Sequence, residues 1–233
     1  MTTCIFGGET APNVLIQAVY DSDPAGIENE TKAIRERTDA DFRLIAVKVS
    51  DWNRDLAPWQ APPAFGNKGF GGNAAKTLEE ILTLCSDRDR NYIIGGYSLA
   101  GLFALWAVTQ TDRFAGAAAA SPSVWFPGFT EYMEAHEIRC RAVYLSLGDR
   151  EERTRNQMMA AVGSRIRKAE EILKGRGIQS ILEWNPGNHF RDADLRTAKA
   201  FAWVLNQEEI TRLPAEQRTD HQPQTALPAA GPR

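Results

Sequence analysis

The chain has 233 residues, 43% hydrophobic and 24% charged, proportions that argue against a disordered, fibrous or membrane-embedded protein. Lys and Arg number 27 against 30 Asp and Glu, a net charge of -3, which argues against binding nucleic acid by neutralising phosphates. Three cysteines, Cys4, Cys85 and Cys140, are too few and too scattered for a disulfide scaffold and suit a reducing compartment.

The amino terminus carries no basic stretch followed by an apolar one, so no secretory signal is expected and the expected location is cytoplasmic. No apolar run approaches the roughly 18 residues of a membrane span. From there, short apolar runs rich in β-branched and aromatic residues alternate with helical patterns, as in a mainly parallel sheet with helices on both faces. Strands are expected at Val14 to Tyr20, Phe42 to Val49, Asn91 to Gly95, Ala115 to Ala120, Arg141 to Leu147 and Gln179 to Trp184. The fourth of these is almost all alanine and weak in strand propensity. Helices are expected from Glu28 to Arg37, Leu78 to Leu84, Leu102 to Val108 and Thr154 to Lys174, the last stopped by Gly175-Arg176-Gly177. A final helix, Ala193 to Asn206, places Leu195, Ala198, Phe201, Ala202 and Leu205 on one face, which is expected to pack on the core. Residues 50–73, rich in Trp, Pro and Gly, read as irregular loop. From Leu213 the Pro, Gln, Thr and Ala content reads as a disordered tail, leaving 1–212 as one α/β domain without a separate lid domain.

The sharpest local signal is Gly95-Gly96-Tyr97-Ser98-Leu99-Ala100-Gly101, placed between a strand and a helix. A nucleophile elbow demands this context: a serine on a strained strand-to-helix turn, flanked two residues either side by small side chains because strand and helix pass close together. Gly96 and Ala100 meet that demand. A serine needs a base, and three histidines compete. His221 falls in the tail and His136 in a polar helix end, which leaves His189, in a turn-rich loop at the carboxyl end of the sixth strand, where open parallel sheets gather ligands. The acid is expected on the loop after the preceding strand, where Asp149, Glu151 and Glu152 compete. Glu151 is favoured because a side chain a few residues past the strand end folds back toward the histidine, with Asp149 as the alternative, free otherwise to cap the following helix. An oxyanion needs two donors: the backbone N–H of Leu99 and a second from the loop after the first strand, near Asp21 or Ser22.

Four segments together resemble the esterase family of α/β-hydrolases that includes S-formylglutathione hydrolases, enterochelin esterases and mycolyltransferases: Gly96-Tyr97-Ser98-Leu99-Ala100-Gly101-Leu102, Ala120-Ser121-Pro122-Ser123-Val124-Trp125, Leu147-Gly148-Asp149-Arg150-Glu151, and Gly187-Asn188-His189-Phe190. The resemblance implies an α/β-hydrolase fold and a carboxylic-ester hydrolase with Ser98 as nucleophile, His189 as base and Glu151 as acid. It implies a small-molecule ester as partner, no cofactor, and no nucleic acid or membrane. Trp59 and Trp125 are candidate lining for an acyl pocket, with loop packing as the competing explanation. Residues 66–77 fail the P-loop spacing, and no Cys or His pair has metal-ligand spacing, so no metal is expected. Acyl transfer through the same acyl-enzyme and a non-catalytic binding module of the same fold are the alternative functions; the sequence carries nothing that specifies oligomeric state.

Overall fold

The computed structural model describes residues 2–20, 24–64 and 66–211, so the tail expected from Leu213 lies outside the described residues. In chain order the elements are β1 (Thr2–Phe6), β2 (Asn13–Val19), α1 (Pro24–Arg35), β3 (Phe42–Lys48), α2 (Trp52–Asp55), β4 (Gln60–Ala61), β5 (Phe70–Gly71), α3 (Ala74–Leu82) and β6 (Asn91–Tyr97). There follow α4 (Leu99–Gln110), β7 (Phe114–Ala120), α5 (Phe129–Ala135), β8 (Ala142–Gly148), α6 (Gln157–Ala160), α7 (Val162–Gly175), β9 (Gln179–Asn185), α8 (Ala193–Leu205) and α9 (Glu208–Thr211).

The main sheet has seven strands in the order β1-β3-β2-β6-β7-β8-β9, all parallel except β1, which pairs antiparallel with β3. The residues ahead of Val14 read from the sequence only as a short entry strand or arm, because five residues at a chain end carry little pattern; pairing with Leu44–Lys48 orders them as β1. Two apolar clusters lie on opposite faces of the sheet. Val14, Ile16, Ile94, Ala117 and Val143 face the layer that holds α3, α4 and α7, whereas Leu15, Ile93, Ala118 and Tyr144 face α1 and α8. With both faces covered, β2 and β8 are buried at every position, which is why they read as continuous apolar runs.

The alanine strand has a packing cause. Phe201 and Val204 of α8 are fully buried, and α8 lies tightly on β6 and β7. A Cβ on Gly95 would stand 2.6 Å from the Phe201 ring and 2.7 Å from the Ala118 Cβ. Side chains larger than methyl at these sites would lift α8 off the sheet, so β7 gives up strand propensity for close approach.

Three expectations are corrected. The helix expected over 154–174 instead starts at Gln157, where the Asn156 side chain caps the first turn by accepting from Met158 N at 3.1 Å and Met159 N at 3.3 Å, and it is interrupted between Ala160 and Val162. Residues 50–73 contain ordered pieces: α2, capped by Asp51 through Arg54 N, and the β4-β5 ribbon. On α8, Leu195 is 41% exposed while Arg196 is only 2% exposed. Amphipathic spacing assigned the first turn by hydrophobicity, but that turn runs beneath the loops at the sheet's carboxyl edge, where a cation has anionic partners.

Glu30 of α1 is buried at 4% exposure beside Gln17 of β2, whose Nε2 donates to it at 3.2 Å. Loss of hydration pushes its carboxyl up to about 8, with Asp194 adding to the rise and the Gln17 bond opposing it. Because the folded value lies above the ordinary 4.5, the neutral acid's contribution to stability is full below that value and is lost as pH rises through about 8. Glu30→Gln is therefore expected to flatten the dependence of Tm on pH between about 5 and about 9 and to melt higher than the parent at the alkaline end. Parallel Tm–pH curves for the two proteins would refute this role.

Candidate active site

Ser98 sits between the last residue of β6 and the first of α4, at φ 58° and ψ -119°. A non-glycine residue held there is strained by about 1–3 kcal/mol, and the surroundings over-determine it. Its N–H donates to Ala120 O at 3.1 Å, and its own carbonyl accepts from Ser123 N and Leu102 N, each at 3.0 Å. The turn is possible because Gly96, at φ 154°, has no Cβ: one built there would stand 2.6 Å from the Ala100 Cβ. The small residues at these two positions thus share one tight contact.

The geometry brings three loops together. His189 Nε2 lies 3.0 Å from Ser98 Oγ, and His189 Nδ1 lies 2.7 Å from Glu151 Oε2. The other carboxylate oxygen, Oε1, accepts from Gly148 N at 2.7 Å, Ser121 Oγ at 2.8 Å and Arg196 Nη1 at 3.0 Å. These three partners of Oε1 can only donate or are oriented to donate, so Glu151 acts as an acceptor and Oε2 accepts the hydrogen bond from the Nδ1–H of His189. That tautomer leaves Nε2 as the acceptor for the Ser98 hydroxyl. The Glu151 side chain is 4% exposed and that of His189 23%, so the acid is sealed while the base reaches solvent.

The competing residues go elsewhere. Asp149 accepts from Gly187 N at 2.8 Å, tying the acid loop to the histidine loop instead of capping a helix. Glu152 pairs loosely with Arg167 at 3.7 Å. His136 caps the end of α5 and stacks on Tyr132 with ring centroids 3.8 Å apart. Asp21 and Ser22 lie outside the described residues, as does His221. Leu99 opens α4, where a backbone N–H has no intrahelical carbonyl to meet and is available to an anion. Cys85 and Cys140 are buried thiols pushed up to about 12 by lost hydration, which suits core packing and not nucleophilic attack.

A small cavity open to solvent adjoins these groups and is lined by Ser121, Pro122, Trp125, Glu151, Met159, Val162 and His189. Trp125 is in this lining. Trp59 is not: its indole N–H donates to Pro127 O at 3.1 Å, and its rings pack on Phe126 and Tyr132 at centroid distances of 5.5 and 5.2 Å. Sequence reasoning missed Met159, Val162 and Arg196; the first two lie on a helical stretch with no motif, and an isolated arginine on a helix looks like any solvated charge.

No protein-family model matches the chain, and no curated protein sequence does. Solved structures do. The siderophore hydrolase EstA from Aspergillus nidulans superposes with a TM-score of 0.64 at 19% identity, over 86% of this chain and 85% of that one. An IroE-like serine hydrolase from Shewanella oneidensis gives 0.69 at 14% identity, over 86% and 74%. FphF, a fluorophosphonate-binding serine hydrolase of Staphylococcus aureus, gives 0.53 at 12% identity, over 88% and 98%. The chain has an α/β-hydrolase fold. In this fold the strands β6, β7 and β8 and the loop after β9 deliver Ser98, Ser121, Glu151 and His189 to the carboxyl edge of the sheet, where parallel sheets hold their ligands. Among the described residues no helix is long and apolar enough to cross a membrane, and no cluster of His, Cys, Asp and Glu is arranged to hold a metal.

Proposed function

We propose that the chain is a serine hydrolase that cleaves a carboxylic ester of a small or medium substrate through an acyl-enzyme on Ser98. The observation that carries this reading is the relay from Glu151 Oε2 to His189 Nδ1 at 2.7 Å and from His189 Nε2 to Ser98 Oγ at 3.0 Å, ending on a serine in a strained elbow. His189 takes the Ser98 proton as Oγ attacks the ester carbonyl, and Glu151 orients the ring and stabilises the imidazolium. The Leu99 N–H faces the developing oxyanion; the second donor is assigned to the loop at Asp21, on position in the fold alone. His189 then returns the proton to the departing alcohol, and a water, activated by the same ring, releases the acid.

Pro122, Trp125, Met159 and Val162 give the cavity beside His189 an apolar wall, which suits the acyl part of an ester. The similar proteins are described as siderophore and serine hydrolases, in keeping with ester chemistry. We read residues 1–212 as one catalytic domain and, from the scattered cysteines, a cytoplasmic location. A fluorophosphonate probe tests the assignment: the folded protein is expected to be labelled stoichiometrically at Ser98, and failure of the folded protein to label would refute it.

A further inference from the structure

Arg196 is the largest fully buried side chain among the described residues, at 2% exposure, and it carries a charge. Such a group costs several kcal/mol to desolvate unless it is paired and fully hydrogen-bonded, so its partners account for its presence. Nη1 donates to Glu151 Oε1 at 3.0 Å, Tyr97 OH at 3.1 Å and Ser121 Oγ at 3.3 Å, and Nη2 donates to Pro186 O at 3.0 Å. Those four acceptors lie on four separate segments: the acid loop after β8, the last residue of β6 next to Ser98, the turn after β7, and the loop that carries His189. Tyr97 extends the reach, since its hydroxyl donates to His189 O at 2.8 Å and lost hydration holds its phenol above the ordinary value, keeping the proton it donates. One guanidinium therefore grips the acid directly and the base through Tyr97 and Pro186.

We propose that Arg196 is a positioning residue for the relay: from the first turn of α8 it fixes the Glu151 carboxylate and the His189 loop in one register, so that Nε2 points at Ser98 Oγ. This rests on the serine-hydrolase reading above. It also explains why Glu151 bonds through both oxygens. With Oε1 occupied by three donors from Gly148, Ser121 and Arg196, the carboxylate cannot rotate, and Oε2 alone faces the ring. A planar fork that serves a carboxylate, two hydroxyls and a carbonyl at once has no equivalent in a lysine ammonium, whose donors radiate from one point.

The test measures kcat and KM for p-nitrophenyl butyrate in the full chain, per site titrated by a fluorophosphonate, for wild type, Arg196→Met, Arg196→Lys, Glu151→Gln and Glu151→Gln/Arg196→Met. Loss of register without loss of binding is expected to lower kcat of Arg196→Met by about 10²-fold with KM within about 3-fold, since misplacements near 1 Å cost that much. Arg196→Lys is expected about 10-fold below wild type, a partial rescue by charge alone. In the Glu151→Gln background the methionine is expected to lower kcat by clearly less than it does in the wild type, because one of the two groups that Arg196 holds is already impaired. A merely structural role would lower the titrated fraction and Tm while leaving kcat per site at the wild-type value, and that result overturns the proposal. Losses that multiply in the double variant overturn it too. If Arg196→Met does not fold, Arg196→Lys decides: wild-type kcat per site refutes, and a drop at unchanged KM supports. A wild type that neither labels nor hydrolyses the ester would instead overturn the serine-hydrolase reading, a distinct outcome.

Discussion

Ser98→Ala is expected to abolish ester hydrolysis, with kcat falling by as much as about 10⁶-fold, the scale on which triad enzymes lose turnover with their nucleophile. The fold should survive, because what holds residue 98 in place is main chain: its N–H to Ala120 O at 3.1 Å and its carbonyl to Ser123 N and Leu102 N. Alanine accepts those bonds unchanged and keeps the same strained φ, so Tm should stay within a few degrees. The measurement is the rate with p-nitrophenyl butyrate beside a thermal melt. A folded variant within tenfold of the parent rate would remove Ser98 from the mechanism.

The second large effect separates the carboxylates. Glu151→Gln keeps the shape of the side chain but presents an amide, which cannot accept on both oxygens from four donors and can donate to Nδ1, favouring the wrong imidazole tautomer. A loss in kcat of about 10⁴-fold is expected, the scale seen when a triad carboxylate becomes an amide. Asp149→Asn should cost far less, at most about tenfold, since Asp149 is half exposed, tethers Gly187 N at 2.8 Å and otherwise pairs at 4.0 Å with the exposed Arg150. Steady-state kinetics on the two variants, normalised to fluorophosphonate-titrated sites, checks the ranking; the reverse order would move the acid to Asp149. The expected insensitivity of His136→Ala follows the same logic, because that ring stacks on Tyr132 at the end of α5.

The alternation of apolar runs with helical patterns was legible because it arises from local periodicity, and it anticipated β2, β3, β6, β7, β8, β9 and the α/β architecture within a few residues. The elbow was legible for a related reason. Close passage of strand and helix restricts positions 96 and 100 to small residues, and that restriction leaves a pattern in seven consecutive letters. Between Asp149, Glu151 and Glu152 the sequence could rank but not choose. Which of three neighbouring carboxylates meets an imidazole 38 residues away depends on the direction in which the loop after Gly148 turns, and Glu151 N bonding back to Gly148 O sets that direction.

What the sequence determined by itself is therefore everything encoded by neighbours along the chain: the order of strands and helices, the tight turn at Ser98, and the loops in which an acid and a base would have to lie. What only the tertiary structure decided is encoded by neighbours in space. The alanines of β7 look like poor strand formers until α8 is seen packed on the sheet face that holds Ala118 and Ala120, and Trp59 looks like a pocket residue until its indole is found bonded to Pro127. Arg196 shows the limit most clearly. Hydrophobic spacing put Leu195 inward and singled out nothing at Arg196, whereas the electrostatic pull of a buried carboxylate and three further acceptors outweighs the transfer of one leucine. No window along the chain contains that comparison, because all four acceptors arrive from other elements.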